Sequence, residues 1–236
     1  MSDQNRVPPA RREGGSAVDA FVEAARQAPV PAASGRGRLI FALDATMSRQ
    51  PTWDMAQALQ GRMFEAAARL GGLDVQLVYF RGVGECRATR FVSGGEGLAE
   101  LMSRISVAGG PTQLRRVLAH ARDEARRAPV GALAFVGDAM EERIDPLLAT
   151  AAEVALAGVK AFMFQEGDDP AARQAFQQIA RLTGGAYEAF NAGAAARLEA
   201  LLRAAAVYAA GGRAALVAHA DREPGARALL AQIGEA

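Results

Sequence analysis

Four nearly continuous apolar runs constrain this chain more than any other feature: "LIFAL" at 39–43, "VQLVYF" at 75–80, "ALAFV" at 132–136 and "VKAFMF" at 159–164. A strand that is apolar on successive residues has to be covered on both faces, which is the condition of a parallel sheet sandwiched between helices. The segments between the runs have helical spacing. Leu114, Val117, Leu118, Ala121, Ala125 and Ala128 share one face, with Arg115, Arg116, Arg122 and Arg126 elsewhere. Leu147, Leu148, Ala151, Val154 and Ala155 repeat the pattern, as do Phe176, Ile179 and Ala180, and then Leu198, Leu201, Leu202 and Tyr208. A further strand, "AYEAF", follows at 186–190, whereas "ATRFV" at 88–92 comes too soon after the second run for a crossover helix. That strand must return antiparallel at an edge. The expected fold class is α/β, a doubly wound, mostly parallel sheet with one antiparallel edge strand and helices on both faces.

Three parts are expected along the chain. Residues 1–36 carry Pro8, Pro9, Gly14, Gly15, Pro29 and Pro31, and form a flexible segment with one short helix candidate, "SAVDAFVEAARQ". Residues 37–210 form the α/β domain, and residues 211–236, after "AAGGR", form a short helical tail. Length alone permits one sizeable core without staples: 236 residues, half of them hydrophobic. The formal charge of +1 creates no field that would recruit nucleic acid or an anionic membrane. Cys86, the single cysteine, excludes an internal disulfide. With no secretory leader and no run of about 18 apolar residues, a soluble, cytoplasmic protein is expected.

In such a sheet a ligand crevice lies beyond the carboxyl ends of the strands, where strand order reverses. The edge hairpin makes the fourth strand the simplest neighbour of the first. The first ends "FALDATMS" and the fourth "FVGDAMEE", so Asp44 and Asp138 are delivered to one crevice. Thr46 and Ser48 follow the first acid, and "AGGPTQL" puts Thr112 at a helix mouth on the same side. An acid followed by alternate hydroxyls could cap a helix, hold a phosphate or hold a metal ion. Taken together, Asp44, Thr46, Ser48, Thr112 and Asp138 are all oxygen donors without His or Cys, which suits Mg²⁺. Three neutral hydroxyls and two acids leave a cation wanting one more anion.

The order D-x-T-x-S, then G-G-x-T before a helix, then a strand-end Asp, resembles the von Willebrand factor type A domain and its metal-ion-dependent adhesion site, over roughly residues 37–208. The family pattern usually has Ser at the position of Thr46; a hydroxyl is retained. It often has glycine after the last acid, where this chain has "DAMEE" with Glu141 and Glu142, either of which could fill the vacancy itself. The resemblance implies a Rossmann-like fold and Mg²⁺ (or Mn²⁺) held directly by Thr46, Ser48 and Thr112, with Asp44 and Asp138 acting mainly through water. It further implies an acidic residue of a partner protein as the ligand, and no catalysis. For a bacterial, cytoplasmic member it implies an adaptor role beside an AAA-type ATPase or a chaperone-like machine.

Other features read more plainly. The arginines of 115–127 are interrupted by Asp123 and Glu124, the pattern of a solvated helix face rather than a nucleic-acid contact. Trp53 reads as a lid over the first helix, "GGEGLAE" at 94–100 as a helix entry, and His120 and His219 lie in helices away from the strand ends. Two alternatives remain open. One is a Mg²⁺-dependent phosphatase of the haloacid dehalogenase type. Its D-x-D-x-T motif would need an acid at Thr46 and a strand-end lysine, whereas the only lysine, Lys160, starts a strand. The other is a scaffold with a degenerate metal site.

Overall fold

The computed structural model describes residues 35–46, 50–67, 70–191 and 194–233, without the side chains at 50, 51, 53, 60, 61 and 64. The helix expected in the first 34 residues, Ser48 and the side chain of Trp53 lie outside the described residues. Six strands form one sheet: β1 (Gly37–Asp44), β2 (Leu73–Arg81), β3 (Glu85–Val92), β4 (Ala132–Gly137), β5 (Lys160–Glu166) and β6 (Ala186–Phe190). Their order is β3-β2-β1-β4-β5-β6. All pairings are parallel except β2 with β3, the edge hairpin expected from the short gap. Strand order therefore reverses between β1 and β4, whose ends carry Asp44 and Asp138.

The helices are α1 (Gln50–Ala67), α2 (Gly95–Ser103), α3 (Leu114–Arg127), α4 (Ile144–Leu156), α5 (Pro170–Thr183), α6 (Ala195–Ala220) and α7 (Pro224–Leu230). Alternation along β1 divides them between two layers. Leu39, Phe41 and Leu43 meet Ala56 and Met63 of α1, Leu98 of α2, Leu201 and Tyr208 of α6 and Leu229 of α7 in one buried cluster. Ile40 and Ala42 join Val117 and Leu118 of α3, Val154 of α4 and Phe176 and Ile179 of α5 in the other. The continuous apolar run is thereby explained, since each residue faces one layer or the next.

Aromatic rings anchor both layers. Phe135 stacks on Phe80 at 6.2 Å and meets the edge of Phe176 at 5.3 Å; Phe162 meets Tyr208 at 5.2 Å. Pairs of this kind contribute about 0.5–1.5 kcal/mol each beyond their burial. By length and composition α6 could cross a membrane, but it is a core helix here, with Leu198, Leu201, Leu202 and Tyr208 buried. Its helical path breaks at Gly212, whose φ of 64° is left-handed and suits a residue without Cβ. Beyond the break, Leu216, Ala226, Leu229 and Ile233 rejoin the same core, and Gln232 accepts the Tyr187 N–H at 2.9 Å.

Candidate metal centre

The first loop leaves the sheet at Asp44, which is 3% exposed. Its Oδ1 accepts the Thr46 N–H at 2.9 Å, an Asx-type turn that bends the chain and sets the largely buried Thr46 beside the carboxylate. Between them, Ala45 donates its N–H to Phe80 O and accepts from Ala108 N, both at 3.0 Å. The segment after Asp44 is thus bonded to β2 and to the loop that precedes α3.

That second loop is pressed onto the β2–β3 hairpin. Gly82 N donates to Ala108 O at 3.3 Å, and Gln113 Nε2 reaches Gly82 O at 3.3 Å. The contact requires Gly110, because a Cβ there would stand 2.2 Å from the Gly82 carbonyl oxygen. Arg116 closes the arrangement by donating to Gln113 Oε1 at 2.7 Å and to the Gly84 carbonyl. Thr112 is held nearly buried at the end of this loop. Thr112 stands two residues before Leu114, where α3 begins. The cap position is Gln113, whose side chain bonds no helix N–H because it is spent on the hairpin.

The third loop supplies what α3 lacks. Leu43 pairs with Val136, so Asp138 lies just beyond the end of β4, beside the end of β1. Three residues on, Glu141 N donates to Thr112 Oγ1 at 3.1 Å while Thr112 N donates to Glu141 Oε2 at 3.2 Å. Both Glu142 oxygens lie 3.2 Å from Arg115 N. Burial pushes the Glu142 carboxyl above its usual range, and the bonds from Arg115 and Leu114 N–H groups only partly offset this. Asp44, Thr46, Thr112 and Asp138 therefore lie on three loops bonded to one another at the carboxyl ends of β1 and β4.

Among the described residues no group of three or more His, Cys, Asp or Glu is arranged to hold an ion. An ion at this crevice would depend on hydroxyl oxygens as well as acids. Thr46 and Thr112 supply such oxygens beside Asp44 and Asp138, and the set fits a small hard cation rather than a soft one.

One contact near the site was not read from the sequence. Thr52, in the first turn of α1, donates to the carboxylate of Glu166, the last residue of β5, and both are buried. This pair ties the helix that follows the first loop to the next strand end. The signal was present in "FMFQEGDD": an acid closing an apolar strand, the feature that singled out Asp44 and Asp138. Elsewhere, His120 Nε2 lies 2.8 Å from Gln76 Oε1, and His219 Nδ1 lies 2.7 Å from Ala215 O. Neither histidine reaches the three loops. Lys160 opens β5, at the end of the sheet away from Asp44. On α3, Arg122 pairs with Asp123 and Glu153, and Arg127 with Glu124, so the basic face is internally compensated. Cys86 is half-buried, and burial pushes its thiol up, away from a reactive thiolate.

No protein-family model matches the sequence, and no curated protein matches it. Solved structures do resemble it. A von Willebrand factor type A protein from Catenulispora acidiphila superposes with a TM-score of 0.57 at 18% identity, over 74% of this chain and 43% of that one. Proximal thread matrix protein 1 of the mussel byssus, solved with a zinc-occupied MIDAS motif, gives 0.58 at 16% identity, over 75% and 48%. The von Willebrand factor domain of a type V pili tip protein from Porphyromonas gingivalis gives 0.56 at 10%, over 74% and 95%. The chain spans less than half the length of the first two. At these identities the likeness concerns architecture, and it agrees with the strand order and the antiparallel edge described above. The chain has the von Willebrand factor type A fold.

Proposed function

We propose that this chain is a protein-binding module whose recognition element is a divalent cation, Mg²⁺ or Mn²⁺, held at Asp44, Thr46, Ser48, Thr112 and Asp138. Thr46, Ser48 and Thr112 are its direct donors, and Asp44 and Asp138 act mainly through water. When bound, the cation supplies a positive, Lewis-acidic point that takes up one Asp or Glu carboxylate of a partner protein. The observation that carries this reading is the bonded convergence of three oxygen-bearing loops, through Ala45–Ala108 and Thr112–Glu141, at the strand reversal.

The chain's own groups have distinct tasks. Asp44 fixes the turn that presents Thr46. Glu141 holds the Thr112 hydroxyl, and the Gly110 contact holds the loop beneath it. The reading is non-catalytic, and both histidines bond to groups outside the three loops. A cytoplasmic setting, with an AAA-type ATPase or chaperone-like machine as the partner class, belongs to the same proposal.

The test is affinity capture from lysate in Mg²⁺ with wild type and Ser48→Ala. A partner that is retained by wild type, released by chelator and absent from Ser48→Ala supports the reading. A partner that stays bound in chelator and protects only residues after Gly212 overturns it.

A further inference from the structure

The two acids that follow Asp138 are placed differently. Glu142 is half-buried, with both oxygens on the Arg115 N–H at 3.2 Å, and is spent as the cap of α3. Glu141 is exposed. Its Oε2 accepts one N–H, that of Thr112, and among the described residues its Oε1 has no partner. Its own N–H is fixed on Thr112 Oγ1 at 3.1 Å, so the residue is anchored beside the hydroxyl, and its exposed side chain is held there by the single bond from Thr112 N–H. Standard bond lengths put a threonine hydroxyl roughly 3 Å from its own nitrogen. With the 3.2 Å contact, a Glu141 oxygen already stands within about 6 Å of Thr112 Oγ1, a distance that side-chain rotamers cover. A hydroxyl has two lone pairs, and the Glu141 N–H takes one, leaving the other for a cation.

We propose that Glu141 is the internal carboxylate of the metal centre: it occupies the position open to a partner's acid and has to be displaced before the partner binds. This rests on the cation-dependent reading above and names what controls it. An arm tethered this closely acts at an effective concentration of millimolar or more. A lone acidic side chain of a partner is therefore outcompeted, and only a partner with further contacts to the loops gains entry. Glu141 thus sets specificity, whereas Glu142 supports the fold.

Water-proton relaxivity of bound Mn²⁺ tests this, since it counts the exchanging waters on the ion. Wild type, Glu141→Ala and Glu142→Ala are each titrated with Mn²⁺ and then with acetate. The expected result is about one more exchanging water in Glu141→Ala than in wild type, against an octahedral total. Its Mn²⁺ affinity should be roughly tenfold weaker, the usual scale for a lost supporting group. Acetate should lower relaxivity in Glu141→Ala only. Glu142→Ala should melt earlier with unchanged ion hydration. Equal hydration and equal affinity in wild type and Glu141→Ala would overturn the assignment of Glu141 alone. Absence of Mn²⁺ binding in wild type would overturn the cation-dependent reading, and this inference with it.

Discussion

Glu142 caps a helix to which it does not belong: both its carboxylate oxygens lie 3.2 Å from Arg115 N, in the first turn of α3. The residue at the cap position, Gln113, is turned to the β2–β3 hairpin instead. Glu142→Ala should therefore destabilise the protein by about 1 kcal/mol, the usual cost of a lost cap, in thermal or urea melts. Glu142→Gln keeps an acceptor and should cost less. Because burial raises the folded carboxyl, the folded state holds this proton to higher pH than the unfolded chain. Wild type should gain stability relative to Glu142→Gln as pH falls through the window just above the ordinary glutamate range, and lose it as pH rises.

His120 gives the opposite slope. Burial pushes its pKa below the usual value; Glu124 and Asp123 pull it up and Arg127 pushes it down. The unfolded histidine takes up its proton first, so stability is lost as pH falls through the ordinary histidine value of about 6.5. Melting from about pH 7.5 to about pH 5.5 should show a steeper decline for wild type than for His120→Gln. Parallel curves would mean that the ring is already solvated in the native protein.

Two neighbouring glycines provide a matched pair. At Gly110 a Cβ would stand 2.2 Å from Gly82 O and 2.6 Å from Gly82 Cα, backbone that has to shift; at Gly109 nothing lies within 4 Å. Gly110→Ala should cost about 1–3 kcal/mol, the range for forced overpacking, and weaken Mg²⁺ binding by moving Thr112. Gly109→Ala should be near neutral in both melts and titration. Similar effects of the two would show that the loop does not rest on the hairpin.

The sheet was legible because β1, β2, β4 and β5 are buried on both faces and announce themselves as apolar runs. The position of β4 beside β1 followed from the hairpin that occupies the other side. Asp44 and Asp138 were visible as acids closing buried strands. Their surroundings were not, because those contacts join residues far apart in sequence. Glu141 meets Thr112 from 29 residues away, and Glu166 meets Thr52 from 114. What holds Thr112 was hidden for the same reason: the N–H on its hydroxyl comes from a distant residue, and the helix begins two residues later.

The phosphatase alternative predicts turnover where the binding reading predicts none. Thr46 stands where a second acid would protonate the leaving group, and Lys160 lies at the opposite end of its strand. With Mg²⁺ present, p-nitrophenyl phosphate should be hydrolysed no faster than background. Turnover that disappears in Asp44→Asn would establish the enzyme instead.

The central claim is that hydroxyls and acids of separate loops form one cation site. Isothermal titration with Mg²⁺ of wild type, Asp44→Ala and Thr112→Ala tests it most directly. A single site in wild type that is lost in both variants, with all three still folded by circular dichroism, is the predicted result. Equal affinity in the three proteins, or no binding by wild type, would contradict it.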